Sequence, residues 1–146
     1  MMRAAVIAAR DEAARMGRPA PLVIGVTVLT SFDRLALADV GVARDLPDQV
    51  KRLASLAQAA GLDGVVASPH EIGPVRDTCG PHFTIVTPGI RSGTDARGDQ
   101  RRTQSAADAL AAGASYLVVG RPIIAAPNPR AAAERIASEC RSTPAQ

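Results

Sequence analysis

Two short apolar runs in this chain end in a glycine with an arginine close behind it, Pro88-Gly89-Ile90-Arg91 and Gly120-Arg121-Pro122. A glycine at the carboxyl end of a strand lets backbone N–H groups approach an oxyanion. An arginine beside it adds a planar fork of donors, so the two pieces together could grip a phosphate or a similar anion. Between them runs a long polar loop with Arg97, Gln100, Arg101 and Arg102 beside Asp95 and Asp99. Loops of this length without structure of their own are usually functional or disordered, and the rigid strand end that feeds this one favours function. Plainer readings stay open. Gly120 and Arg121 could be a turn glycine and a surface arginine, and Arg91 and Gln100 could be ordinary loop residues. Thr30 and Ser68 end two further apolar runs, where a hydroxyl serves a ligand or caps a helix.

Other chemistries lack their parts. No Ser-His-Asp or Cys-His arrangement can be assembled, and no metal-ligand cluster, G-x-G-x-x-G or P-loop is present. His70 and His82 have no carboxylate at a useful spacing and read as surface histidines. Lys51, the single lysine, sits on the polar side of an amphipathic helix and reads as solvated. Cys79 and Cys140 are far apart without metal-ligand spacing, as expected of incidental thiols in a reducing compartment.

Composition bounds the class. A chain of 146 residues with 47% apolar content is one domain's worth and can bury a sizeable core. Aromatics are 2%, so that core must be Ala, Val, Ile and Leu, the usual filling of parallel α/β sheets. Net charge is +3, and the basic residues are sixteen arginines against one lysine. They are scattered among acids, with no aromatics to stack bases, which argues against nucleic acid as partner. No run reaches the roughly 18 apolar residues of a membrane span. Met1 to Arg10 superficially resembles a signal or transit peptide, but Asp11-Glu12 and the continuing helical pattern argue against one, so a cytoplasmic location is expected.

The elements that must position these residues follow from the pattern. Residues 1–17 predict an Ala-rich helix closed by Gly17. Leu22 to Thr30 reads as a first strand, apolar almost throughout and therefore buried on both faces. Phe32 to Val40 is a short helix. Asp45 then caps a stronger one with Pro47 in its first turn, in which Val50, Leu53, Leu56, Ala57 and Ala60 share the buried face and Gly61 ends the helix. Asp63 to Ser68 is the second strand, followed by a helix from His70 to Cys79 interrupted near Gly73-Pro74. Phe83 to Thr87 is the third strand. A helix beginning at Gln104 or Ser105 runs to Gly113, and Tyr116 to Gly120 is the fourth strand. Asn128 caps the last helix with Pro129 at its first position, and Ala132, Ile136 and Cys140 form its inner stripe. The expected domain is thus one helix and then four strand-helix units over 22–141, with a frayed tail. Crossovers of this kind make the strands parallel, with the site at their carboxyl ends. Half of an eight-unit barrel and a small doubly wound sheet both fit, and periodicity does not choose.

Five pieces in order carry a resemblance: Thr27-Val28-Leu29-Thr30-Ser31, Gly61-Leu62-Asp63-Gly64-Val65-Val66-Ala67-Ser68, Val86-Thr87-Pro88-Gly89-Ile90-Arg91, Gly98-Asp99-Gln100-Arg101-Arg102, and Tyr116-Leu117-Val118-Val119-Gly120-Arg121-Pro122-Ile123. Together they resemble the orotidine 5'-phosphate decarboxylase family, from residue 1 to about 141. The resemblance implies an α/β fold of parallel (β/α) units, the carboxyl-terminal half of a TIM-type (β/α)8 barrel. It implies that Gly120, Arg121 and Gln100 hold the 5'-phosphate of orotidine 5'-phosphate or UMP, that Arg91 and Pro88 border that pocket, and that Thr30 contacts the substrate. It implies no metal and no organic cofactor, and a homodimer for the full-length protein. In that family a lysine within an Asp-x-Lys-x-x-Asp array protonates C6 as carbon dioxide leaves. No such array exists in this sequence and Lys51 does not match it, so no catalytic residue is assigned. The expectation is a truncated decarboxylase, from a gene fragment or an internal start at Met1-Met2, that keeps the phosphate cradle and lacks the acid. The alternative is a non-catalytic phosphate-binding half-barrel, perhaps paired with itself.

Overall fold

The computed structural model describes residues 1–91 and 104–141. Helix α1 (Met2–Arg15) leads into β1 (Ile24–Val26), α2 (Arg34–Asp39) and α3 (Leu46–Ala59). Strand β2 (Gly64–Val66) is followed by a 3₁₀ turn (Pro69–Glu71) and α4 (Ile72–Cys79), then β3 (Thr84–Thr87), α5 (Ala106–Ala111), β4 (Tyr116–Leu117), α6 (Arg121–Ile124) and α7 (Pro129–Arg141). All strand pairs are parallel, and the sheet order is β1-β2-β3-β4. A doubly wound sheet would reverse direction at a switch point. This one steps in a single direction, as consecutive staves of a barrel do.

Register shows how the sheet is covered. Gly25, Val65 and Ile85 share one row. Val65 and Ile85 are fully buried, and a Cβ added to Gly25 would sit 3.6 Å from Ala57 Cβ of α3, so this is the helix-packed face. The next row, Val26, Val66, Val86 and Tyr116, points the other way. At its two ends Val26 is 62% and Tyr116 56% exposed. The first strand is therefore neither buried on both faces nor as long as Leu22 to Thr30. It is a three-residue edge strand, because β1 has a neighbour on one side only and the second face has no covering layer among the described residues.

Local chemistry explains most boundaries. Gly17, Gly41, Gly61, Gly80 and Gly113 each follow a helix with positive φ, the left-handed turn that a glycine adopts most readily. Asp33 caps α2 by accepting from Ala36 N at 2.9 Å, and Ser105 caps α5 through Asp108 N at 3.1 Å. Asn128 accepts from Ala131 N at 3.0 Å, as its position before Pro129 predicts. Asp45 departs from expectation: its carboxylate makes no capping bond and lies 3.5 Å from Arg34 instead. On α3 the inward residues are Val50, Ala54 and Ala57, whereas Leu56 is 47% exposed. The predicted break near Gly73-Pro74 falls earlier, between the 3₁₀ turn and α4. Pro74 lies in the first turn of α4, where its missing N–H has no helical partner to lose. The core joins Val50, Leu62, Val65, Ile72, Val75, Phe83, Ile85, Ala109 and Ile136 beneath the sheet's covered face.

Candidate functional site

The carboxyl ends of β3 and β4 carry the two arginines singled out by sequence. After Thr87 the chain turns through Gly89, whose φ of 82° places it in the left-handed region. Ile90 then bridges Gln104 in parallel, with Arg91 N donating to Gln104 O at 3.0 Å and Gln104 N to Gly89 O at 3.3 Å. These bonds fix where the polar loop leaves and returns. They also hold Arg91 at its base, where the side chain is only 8% exposed and Nη1 donates to Ile90 O at 2.8 Å. Among the described residues no carboxylate pairs with it. A guanidinium shielded from water favours a nearby anion over none.

Arg121 opens α6, one residue after Gly120. Gly120 O receives Ile123 N at 2.9 Å and Ile124 N at 3.1 Å, so its carbonyl is committed to the helix. Its φ is −105°, and a Cβ built there would meet no atom within 4 Å. Neither a left-handed turn nor a crowding neighbour asks for glycine at this position, and its absent side chain leaves the backbone open to approach from outside.

A cleft of about 620 Å³ gathers Arg91, Arg121 and Arg135, with Pro122, Asn128 and Ala132 among its walls. No acidic residue lines it among the described residues. Three guanidiniums around one concavity, without a carboxylate in its wall, make a basin of positive potential suited to a phosphate-sized anion.

The structure brings together some sequence-predicted residues and separates others. Arg91 and Arg121 share the cleft, Gly120 adjoins it, and Pro88 is half-buried in the turn behind Arg91. Gln100, with Arg97, Arg101 and Arg102, lies outside the described residues. Thr30 stands in the turn after β1, where Phe32 N donates to Leu29 O at 2.9 Å. It is therefore at the far edge of the sheet, three strand spacings or roughly 14 Å away, and it caps no helix. Ser68 neither caps a helix nor lines the cleft: its hydroxyl donates to the carboxylate of Glu71, and both side chains are buried. His70 and His82 are exposed, and Lys51 pairs with Asp48 at 2.7 Å. No group of three or more His, Cys, Asp or Glu is placed to hold a metal among the described residues.

Sequence reasoning missed two arginines. Arg135 could have been found, since α7 residues spaced by three to four from Asn128 share its face. Arg76 could not. Its guanidinium donates to the carbonyls of Gly80, Pro81, Phe83 and Gly113 at 2.5–3.1 Å and to Ser115 Oγ at 3.0 Å, tying the entrances of β3 and β4 together at the end of the sheet opposite the cleft. Burial lowers its pKa from the ordinary arginine value, a shift that the nearby Cys79 partly opposes. It is a structural cation, and two of the groups it binds, the Gly113 carbonyl and Ser115 Oγ, are remote in sequence.

Comparison with known families matches residues 1–136 to the orotidine 5'-phosphate decarboxylase / HUMPS family. A protein of Moorella thermoacetica named orotidine 5'-phosphate decarboxylase is 60% identical over 140 residues, covering 95% of this chain and 56% of that protein. Its namesake in Paramagnetospirillum magneticum is 53% identical, over 95% of this chain and 59% of its own length. The crystal structure of an uncharacterized conserved protein from Geobacillus kaustophilus superposes with a TM-score of 0.76 at 33% identity, over 96% of this chain and 58% of that one. The orotidine 5'-phosphate decarboxylase from Lactobacillus acidophilus gives 0.70 at 35% identity, over 85% and 51%. This chain thus spans a little more than half the length of the curated relatives it matches. Its four parallel strand-helix units are half of a TIM-type barrel.

Proposed function

Because the chain belongs to the orotidine 5'-phosphate decarboxylase family, we propose that it is the carboxyl-terminal, phosphate-gripping half of such an enzyme, one that binds orotidine 5'-phosphate or UMP and does not decarboxylate alone. The carrying observation is the cleft shared by Arg91 and Arg121 beside Gly120. Anion sites of TIM-type barrels lie in the loops after the last two strands, which β3 and β4 become in this assignment. Gly120 and Arg121 hold the phosphate together with Gln100, Arg91 and Pro88 border it, and Thr30 reaches the nucleotide's other end across the sheet. In the family's reaction the C6–carboxylate bond breaks, its electron pair stays on C6, and a lysine ammonium delivers the proton. This sequence has no Asp-x-Lys-x-x-Asp array, so the proton has no donor here. What the chain contributes is binding energy remote from the reacting carbon, which can orient the ring and draw a loop closed. We place the complete enzyme in the cytoplasm as a homodimer.

The test is to incubate the purified chain with orotidine 5'-phosphate and follow loss of its absorbance, with and without a fragment supplying the amino-terminal strands. The expected result is no turnover alone and turnover on complementation. Turnover by the chain alone overturns the proposal. A second reading, a non-catalytic half-barrel that pairs with itself, is favoured by the outer edges of β1 and β4, which pair with no strand among the described residues, and by the open sheet face between them.

A further inference from the structure

We propose that Arg135 is a third anion contact, a specificity residue through which α7 enlarges the phosphate site toward its outer wall; the inference rests on the phosphate reading of the cleft and goes beyond the residues assigned to it above. Helix α7 has three arginines, and their surroundings differ. Arg130 is spent on Glu134, Nε to Oε1 at 2.9 Å on the solvent side. Arg141 ends the helix. Arg135 alone of the three lines the cleft, on the face that also carries Asn128, Ala131 and Ala132.

Each neighbour prepares the position. Asn128 Oδ1 accepts from Ala131 N and so anchors the helix end. Ala131 and Ala132 are small, so their stretch of the cleft wall takes up little of its space. The acid adjacent in sequence, Glu134, is drawn to Arg130 and does not line the cleft. With no acid in the described wall, the guanidinium of Arg135 adds its field to those of Arg91 and Arg121. A phosphate monoester carries between one and two negative charges near neutral pH. Two guanidiniums can match that charge, and a third strengthens discrimination for the dianion over a monoanion or a neutral nucleoside.

The experiment measures binding of UMP and of inorganic phosphate to the full chain by titration calorimetry at low and at moderate salt. Arg135→Ala is expected to weaken UMP roughly three- to tenfold and to flatten the salt dependence, with the thermal midpoint unchanged. Arg135→Lys is expected to recover part of the loss, because it restores the charge without the fork. Arg141→Ala, which removes an α7 arginine outside the cleft, is expected to leave affinity as it was. Arg121→Ala is expected to lose more than Arg135→Ala. If Arg135→Ala binds both probes like the parent chain while Arg121→Ala does not, Arg135 is no anion contact and the phosphate reading stands. If the parent chain itself binds neither probe, both fail.

Discussion

Arg91, Arg121 and Arg135 come from three separate pieces of chain and meet in one cleft, while the ten other arginines among the described residues do not line it. Residue type announced the first two, because each closely follows a glycine at a strand end. Arg135 and Arg76 carry no such mark, and only packing separates an arginine that faces a ligand space from one that binds backbone carbonyls. Thr87 is similarly silent in sequence. Its hydroxyl is fully buried and has no hydrogen-bond partner among the described residues, on the row facing the helices. Thr87→Val removes that unpaired group at nearly constant shape, so it is expected to leave stability unchanged or raise it by up to about 1 kcal/mol. Urea unfolding checks this, and a loss above roughly 1.5 kcal/mol would show that the hydroxyl has a role the structure does not reveal. The thiols make a second case. Burial pushes the Cys79 pKa up, a shift that Arg76 only partly offsets, so the thiolate is scarce as well as shielded. Cys140 is half-buried. With iodoacetamide near pH 8, Cys140 should be alkylated first and Cys79 slowly, as peptide mass spectrometry against time would record.

Helices were easier to read than strands. Caps and turn glycines are local signals, and those at Gly17, Gly61, Gly80, Ser105 and Asn128 fall where the structure has helix ends. Strands depend on their neighbours, which no local pattern displays. The apolar run from Leu22 to Thr30 shrinks to three residues in β1 because pairing exists on one side only. Gly64 in β2 shows the same dependence. A Cβ there would fall on the backbone carbonyl of Thr84, with the carbonyl carbon 2.7 Å away, in the middle of the β2–β3 ladder. Gly64→Ala is therefore expected to destabilise by about 1–3 kcal/mol. Gly73, exposed in α4 with open space around it, is the contrast: Gly73→Ala should be neutral or stabilise by up to about 1 kcal/mol. Equal denaturation midpoints for the two variants would contradict this account of β2–β3 packing.

At the scale of the molecule, one sheet face is packed under helices and the other exposes Val26 and Tyr116 on the two edge strands, whose outer sides pair with no strand among the described residues. Parallel edges and open apolar surface invite further chain. The purified chain is expected to elute larger than a monomer in size-exclusion chromatography with light scattering, and Val26→Lys with Tyr116→Lys should shift it toward monomer. A compact monomer of the unmodified chain, unchanged by those substitutions, would count against an exposed barrel interior. The sequence by itself determined the alternation of strands and helices, the Ala- and Val-rich core, the strand-end arginines and the lack of an Asp-x-Lys-x-x-Asp array, because those are properties of residue type and short-range spacing. Periodicity left barrel and doubly wound sheet open, a choice that the family resemblance anticipated and the strand order made, and tertiary structure alone brought Arg135 to the cleft and turned Arg76 to the backbone. Strand order and side-chain convergence join residues remote in sequence, and apolar periodicity is the same whichever neighbour a strand acquires.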